Sequence, residues 1–251
     1  MKKRRRRRRR IACAVILLVM AAVCAVLSLT VFFKIEMVTV TGNSRYTVEE
    51  ILEASGIRTG ENLFLTNVER ASEQIEQAKP YVRTAHVKRK FPAAIEITVE
   101  ESASAVLGVA TGDGYILLDR DLKVLEKGSG ALPEGIAQVC LGGVSAAEEG
   151  SAIQAENGDS INALKLLLDA ADQAGLTSLT YYDVTDPGNM VLTYSGRLDA
   201  VLGDRQNMEK KMAMLAEVIR RNDAADPHKS GTIDLRVNGK AYLSGKRTVG
   251  A

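Results

Sequence analysis

The sequence predicts an α+β protein with a single N-terminal transmembrane helix followed by two folded modules. Three observations indicate this class: an uncharged run over residues 11–33, a β-α-α-β-β pattern over residues 34–101, and short strand patterns with two helices over residues 105–246. We expect the second module to be mostly antiparallel. Hydrophobic residues make up 46% of the 251 residues and charged residues 25%, a composition that excludes a wholly disordered chain.

The run over residues 11–33 predicts a membrane anchor that is not cleaved. Its 23 residues carry no charge, and a helix of this length is about 35 Å long, enough to cross a bilayer core. A cleaved signal peptide has a shorter apolar run that ends in small residues, whereas this run ends in Phe32-Phe33. A lipoprotein signal needs a small residue before its cysteine, but Val23 precedes Cys24. The run also follows the arginines directly, which disfavours a twin-arginine signal.

The basic tail over residues 1–10 predicts the orientation of the anchor. Lys2 to Arg10 hold nine of the 33 basic residues, so the remaining 24 face 31 acidic ones, a balance of −7. Because only Lys34 directly follows the run, we expect the tail in the cytoplasm and both modules outside, as in a single-pass type II membrane protein. The residues predicted to set this topology are Lys2, Lys3, Arg4, Arg5 and Arg6. Binding of anionic lipid or nucleic acid is an alternative role for the tail, but the acidic remainder indicates no nucleic-acid binding.

Capping patterns predict the two helices of the first module. The pattern Thr47-x-x-Glu50 opens a helix that we expect to end at Gly56. A second pattern, Thr66-x-x-Glu69, opens another helix that Pro80 ends. Both patterns precede apolar residues at helical spacing, so both predict amphipathic helices.

Alternating apolar residues predict the three strands of this module. The first is a short run from Ile35 to Val40, closed by the turn pair Gly42-Asn43. The other two cover residues 82–90 and 94–100 and are joined at Phe91-Pro92.

The second module is predicted from shorter signals. The strand candidates cover residues 106–109, 115–118, 124–125, 180–184, 191–194, 198–202, 232–237 and 241–243, with a further strand near Val139. We expect most of residues 128–160 to be loop, and helices over residues 160–174 and 206–222. In the last helix, Met208, Met212, Leu215 and Ile219 form a stripe that favours a core face over a cofactor-facing one. The pair Asn238-Gly239 predicts a tight hairpin between the last two strands.

The first module resembles the FtsQ-type POTRA domain, a module of the bacterial FtsQ/DivIB cell-division family. The resemblance rests on the order of its motifs after the anchor: Val38-x-Val40-x-Gly42-Asn43, Gly56-Ile57-x-x-Gly60-x-Asn62-Leu63-Phe64, Arg89-x-Phe91-Pro92 and Ile97-Thr98-Val99-Glu100-Glu101. In the second module it is looser and is carried by Tyr115 to Asp119, Leu202-Gly203, Lys210-Lys211, Ile233 to Arg236 and Lys240-Ala241. Residues 247–251 are expected to form only a short C-terminal tail.

The resemblance implies a non-catalytic scaffold of the septal division complex in the cell membrane. It implies partners similar to FtsB/DivIC and FtsL, and extends to FtsK-, FtsW- and FtsI-like proteins, with β-strand addition as the mode of binding. Carried over to this chain, the partner-binding residues are Ile233, Leu235, Arg236, Ala241, Tyr242, Leu243 and Ser244. Tyr242 is the expected anchoring side chain, and the alternative is a surface residue that merely favours a strand.

A second surface is predicted at the basic run Lys88, Arg89 and Lys90. The functional interpretation is a docking site for another division protein or for the membrane surface. The alternative is a solvated strand whose charges protect a sheet edge.

Other functional classes find little support in the sequence. Ser230, His228 and Asp234 are the residue types of a hydrolase triad, but a polar turn explains them better. Cys140, the single cysteine outside the predicted anchor, is either a small buried residue or a reactive thiol. We predict no catalysis, no cofactor and no metal. A POTRA protein of the translocation or chaperone type is the alternative function.

Overall fold

The computed structural model describes residues 14–21, 33–102, 106–237 and 239–245. The chain divides into two compact units, residues 1–101 and 102–251. The predicted basic tail with its topology residues, most of the predicted anchor, and the C-terminal residues 247–251 lie outside the described residues. Residues 14–21 form a helix, α1, whose side chains are exposed. Within the described residues, no helix has both the length and the apolar character needed to cross a membrane.

The first unit has the predicted β-α-α-β-β order. Its elements are β1 (Met37–Thr41), α2 (Val48–Ser55), α3 (Val68–Ala78), β2 (Val82–Lys90) and β3 (Ala94–Glu101). The central strand β3 pairs parallel with β1 and antiparallel with β2. Alternate residues of β2 and β3 point inwards, and with Ile51 of α2 and Ile75 of α3 they form one hydrophobic core. Both helices therefore pack on the same face of a three-stranded sheet.

The two predicted capping boxes have different outcomes. At α2 the prediction is confirmed, because the Glu50 N–H donates to Thr47 Oγ1 (3.2 Å) and the Thr47 N–H donates to Glu50 Oε2 (2.9 Å). Gly56 ends the helix at φ +66°, as expected for a left-handed cap. At α3 the prediction is wrong by one residue: Asn67 is the cap and accepts from the Arg70 N–H at 3.0 Å. The Thr66 side chain turns back towards the preceding turn, where its hydroxyl donates to the Asn62 carbonyl at 2.9 Å.

The second unit is built on a mixed nine-stranded sheet. The described part of this unit contains the strands β4 (Leu107–Ala110), β5 (Gly114–Leu118), β6 (Val124–Ser129), β7 (Ala137–Cys140), β8 (Val144–Ala146), β9 (Gln154–Ala155), β10 (Leu179–Asp183), β11 (Met190–Tyr194), β12 (Leu198–Gly203), β13 (Gly231–Asp234) and β14 (Tyr242–Ser244). The strand order is β14-β13-β12-β11-β10-β7-β4-β5-β6, and β8 and β9 form a separate pair. Three neighbouring pairs are parallel, β13–β12, β10–β7 and β7–β4, and the other five are antiparallel.

Two helices complete the core of this unit, α4 (Gly158–Gln173) and α5 (Met208–Ala225). The methionine stripe of α5 lies in the core, as predicted, with Met212 fully buried. The predicted loop over residues 128–160 is wrong in part, because β8 and β9 lie within it and β6 continues to Ser129. Gly128, the first residue of the predicted loop, lies in β6, and a Cβ at this position would lie 2.2 Å from the Tyr115 ring. The glycine thus provides space for a cross-strand aromatic side chain.

Candidate partner-binding edge

The last strand, β14, lies at one end of the nine-stranded sheet. It pairs antiparallel with β13, Ile233 opposite Leu243, and β13 pairs parallel with β12. Its outer side pairs with no strand within residues 106–237 and 239–245. A terminal strand of this kind can accept the backbone of another strand.

Gly231 at the start of β13 allows β14 to approach. A Cβ at this position would lie 2.1 Å from the Ser244 carbonyl oxygen, which is closer than any side chain can lie. Because the clashing atom belongs to the backbone, a side chain at this position would displace β14 itself. The glycine therefore sets the position of the edge strand.

The connection between β13 and β14 is longer than predicted. Asp234 pairs with Tyr242, so seven residues, 235–241, join the two strands. A turn is closed where it was predicted, because the Lys240 N–H donates to the Val237 carbonyl at 3.1 Å, but the strand pairing predicted directly beside this turn is wrong. Arg236 explains the difference, because its N–H, which would otherwise face β14, donates to Asp234 Oδ1 at 3.0 Å. The chain thus leaves the β13–β14 ladder directly after Asp234. Asn238 itself lies outside the described residues.

The seven predicted partner-binding residues fall into three groups. Ile233 and Leu235 are 0% and 2% exposed and belong to the core, so their side chains do not form part of the exposed edge. Arg236 is exposed but is engaged with Asp234, and Ala241 is half-buried against the core. Three residues lie exposed at the edge: Tyr242, Leu243 and Ser244.

The two faces of the edge strand differ in character. Tyr242, 53% exposed, lies opposite Asp234, whereas Leu243, 40% exposed, lies opposite the buried Ile233 and extends the apolar face. Val237 in the connection is 49% exposed and adds an apolar side chain that sequence reasoning missed. Val237 is exposed because it lies in the connection between β13 and β14, whereas the sequence pattern predicted it as the last residue of a strand. The edge therefore presents two apolar side chains and one aromatic ring.

An ion pair stabilises the start of the connection. Arg236 Nη2 donates to Asp234 Oδ2 at 2.6 Å, and Nε donates to Oδ1 at 3.0 Å. The hydrogen bonds from Arg236 lower the pKa of Asp234, so this carboxylate is ionised at neutral pH. Two of the residue types considered for a hydrolase triad therefore have other contacts. The Asp234 carboxylate pairs with Arg236. The backbone N–H of His228 donates to Asp226 Oδ1 at 3.0 Å, as in a polar turn.

The three residues of the predicted second surface on β2, Lys88, Arg89 and Lys90, do not form one basic patch. Arg89 donates to the carbonyls of Leu63 (2.9 Å) and Thr66 (2.7 Å), so its charge serves the structure of the first unit. Lys90 forms an ion pair with Glu96 at 3.1 Å, and Lys88 is exposed. The edge position of β2 in its sheet agrees with the alternative, a solvated strand with protective charges.

Cys140 is half-buried at the end of β7. Its Sγ accepts a hydrogen bond from the Tyr181 hydroxyl at 3.3 Å, and burial, together with this contact, raises the pKa of Tyr181. A cleft of about 510 Å³ lies beside it, lined by Thr111, Gly142 and Thr185 among others. The thiol thus has a polar neighbour as well as access to a cleft.

Comparison with known proteins relates this fold to a class. The family model for the POTRA domain, FtsQ-type, matches residues 33–102, so the first unit is a POTRA domain and the chain is a POTRA-containing protein. The cell division protein DivIB of Clostridium botulinum (strain Loch Maree) is 27% identical over 220 residues, 83% of this chain and 80% of the relative. The cell division protein FtsQ of Corynebacterium glutamicum is 27% identical over 204 residues, 78% of this chain and 85% of the relative.

A third relative, the cell division protein FtsQ of Syntrophotalea carbinolica, is 41% identical over 70 residues, 28% of this chain and 24% of the relative. The two longer matches exceed the length of either unit and therefore extend over both. Over most of its length this chain is therefore similar to bacterial cell division proteins named DivIB and FtsQ.

Proposed function

We propose that this chain is a non-catalytic scaffold that holds FtsB/DivIC-like and FtsL-like partners at the division septum. Relatives over both units are named cell division proteins, which supports a role in the divisome. The observation that carries the finer proposal is the terminal position of β14, with Tyr242 and Leu243 exposed beside it. A scaffold needs such a surface and no catalytic group.

Strand addition at β14 is the proposed mode of binding. A partner strand would form backbone hydrogen bonds along the outer side of β14, and its alternate side chains would meet the two faces of the edge. On one face it would cover Tyr242, and on the other Leu243. Covering each half-exposed side chain contributes about 1 kcal/mol, so backbone pairing has to supply the rest of the affinity.

Residues 11–33 are proposed to anchor the scaffold in the cell membrane, with the basic tail in the cytoplasm. The length of the uncharged run and the excess of positive charge before it support this topology. Both units then lie on the outer side of the membrane. The POTRA unit is the proposed contact for further division proteins similar to FtsK, FtsW and FtsI.

Partner binding tests the proposal directly. The full chain, reconstituted in nanodiscs, is titrated with the extracytoplasmic segments of its own FtsB/DivIC-like and FtsL-like proteins. We expect Tyr242→Lys to raise Kd at least about tenfold, because a charge replaces the aromatic contact of about 1.4 kcal/mol. Val48→Lys is the matched control, since Val48 is an apolar residue, 40% exposed, on the first unit.

A backbone measurement separates strand addition from side-chain docking. On binding, amide hydrogen exchange should slow along β14 and remain unchanged along β6, the strand at the opposite end of the same sheet. If Tyr242→Lys binds with unchanged Kd, or if amide exchange on binding slows in segments other than β14, the interface lies elsewhere. A wild-type chain that binds neither segment would refute the proposed partners.

A further inference from the structure

An exposed aromatic patch lies at one end of the POTRA unit. We define the aromatic patch as Phe33, Phe64, Leu65 and Phe91. Leu65 is 80%, Phe91 63% and Phe64 44% exposed, although each is large and apolar. The rings contact one another: the centroids of Phe33 and Phe64 are 5.0 Å apart, and those of Phe64 and Phe91 are 5.5 Å apart. The patch is therefore one continuous surface.

Backbone and side-chain hydrogen bonds hold the patch in this exposed position. The Leu63 N–H donates to the Phe33 carbonyl at 2.8 Å, which places the Phe64 turn directly beside Phe33. From the other side, Arg89 of β2 donates to the carbonyls of Leu63 and Thr66, on either side of Phe64 and Leu65. A turn held on both sides is ordered, so its apolar side chains are presented to the outside by the fold.

The patch begins directly at the end of the proposed membrane anchor. Phe33 is the last residue of the uncharged run, the point at which the proposed anchor leaves the bilayer. The headgroup layer on each side of a bilayer is about 5–8 Å thick, and amphipathic surfaces enter it by about 5–10 Å. The successive centroid distances of 5.0 Å and 5.5 Å keep the Phe91 ring within about 11 Å of the Phe33 ring, which is comparable to the depth that such surfaces enter.

The chemistry of the patch also suits a membrane interface. Lys34, which is exposed, follows Phe33 directly, and Lys90, whose amine is paired with Glu96 at 3.1 Å, precedes Phe91. Phenylalanine and leucine side chains with lysines beside them are the composition of surfaces that lie in the membrane interface.

We propose that the aromatic patch inserts into the outer headgroup region of the membrane that holds the chain's own anchor. This inference rests on the membrane anchor of the proposed function. Insertion of the patch fixes the Ala94 end of β3 at the bilayer. The Glu101 end, about 23 Å further along the strand, is then directed away from the membrane. The anchor and the patch together form two attachments, which limit rotation of the POTRA unit about the anchor.

The absence of tryptophan from the sequence allows a direct test. Full chains carrying Phe64→Trp or Phe91→Trp are reconstituted in vesicles of phosphatidylcholine and phosphatidylglycerol, with and without lipid brominated near the headgroup. We expect blue-shifted emission and a loss of about half of it to the brominated lipid. Val48→Trp is the control: Val48 lies next to the turn that binds Glu101, at the other end of β3, and its emission should not be quenched.

Two failures are distinguishable in this experiment. If the chain resists alkaline extraction but Phe64→Trp and Phe91→Trp are quenched no more than Val48→Trp, the anchor exists and the patch proposal is wrong. If the chain is extracted, the proposed anchor is wrong and the patch proposal falls with it. Because only lipid and this chain are present, selective quenching of the two patch positions supports lipid contact and excludes a protein partner.

Discussion

The Glu101 carboxylate accepts four hydrogen bonds from the turn that precedes α2. The donors are the N–H groups of Ser44 (3.1 Å), Arg45 (2.8 Å) and Tyr46 (3.3 Å), and the Ser44 hydroxyl (2.6 Å). Burial raises the pKa of Glu101, but these donors outweigh burial, and the pKa is lowered from its ordinary 4.5. One side chain at the end of β3 thus positions the start of the first helix.

This carboxylate should make the stability of the POTRA unit depend on pH. Since its folded pKa is lowered, its contribution is complete above pH 4.5 and is lost as the pH falls through the folded pKa. We expect Glu101→Gln to lower the free energy of unfolding by about 1 kcal/mol at pH 6. Thermal unfolding of the full chain at pH 6 and pH 3 measures the difference, which should shrink at pH 3. Glu100→Gln, at an exposed neighbour, is the control, and an equal loss at both pH values would contradict the role of ionised Glu101.

Arg89 shows why a residue's type does not define its function. Within a Lys-Arg-Lys run it was predicted as part of a docking surface, yet its guanidinium donates to the Leu63 and Thr66 carbonyls. The acceptors lie 26 and 23 residues earlier in the chain, so no local pattern contains them. Several donors in a fixed plane let arginine bridge two carbonyls that a lysine amine would contact less specifically.

At the scale of the elements, sequence predicts a boundary where the determining contacts are local. Thr47 and Glu50 bond to each other, so the start of α2 follows from four consecutive residues. The place of β13 in the sheet depends on pairing with β12, since the Leu235 N–H donates to the carbonyl of Val201, more than thirty residues earlier, so no local pattern shows which residues of β13 are buried. The strand predicted to bind a partner does lie at the end of the sheet, whereas the burial of Ile233 and Leu235 follows only from the sheet order.

Gly231 offers a test of the edge strand as an element. Gly231→Ala places a methyl group where the Ser244 carbonyl oxygen now lies, so β14 should separate from β13 while the rest of the sheet remains. We expect faster amide exchange in β14 and at least about tenfold weaker partner binding. Gly245→Ala is the matched control, because a Cβ there would meet nothing within 4 Å. Equal binding by both variants would show that β14 is not part of the interface.

At the scale of the whole molecule, the part of the chain that the structure describes has two hydrophobic cores that share no residue. One surrounds Ile51 and Ile75 of the POTRA unit, and the other lies between the nine-stranded sheet and α4 and α5. Separate cores predict that each unit retains its stability when the other is damaged. The proposed attachments are divided accordingly: the aromatic patch belongs to the first unit, and the β14 edge to the second.

Ile75→Ala tests this independence. Ile75 is fully buried in α3, so the substitution should destabilise the POTRA unit by about 2–5 kcal/mol through the cavity that it leaves. Amide exchange should accelerate throughout β2 and β3, whereas exchange in the second unit and partner binding at β14 should stay unchanged. Leu192→Ala, at a fully buried residue of β11, is the reciprocal variant and should weaken partner binding while sparing the first unit. If Ile75→Ala also accelerates exchange around Leu192, the units unfold together, and the division of attachments between two independent cores is wrong.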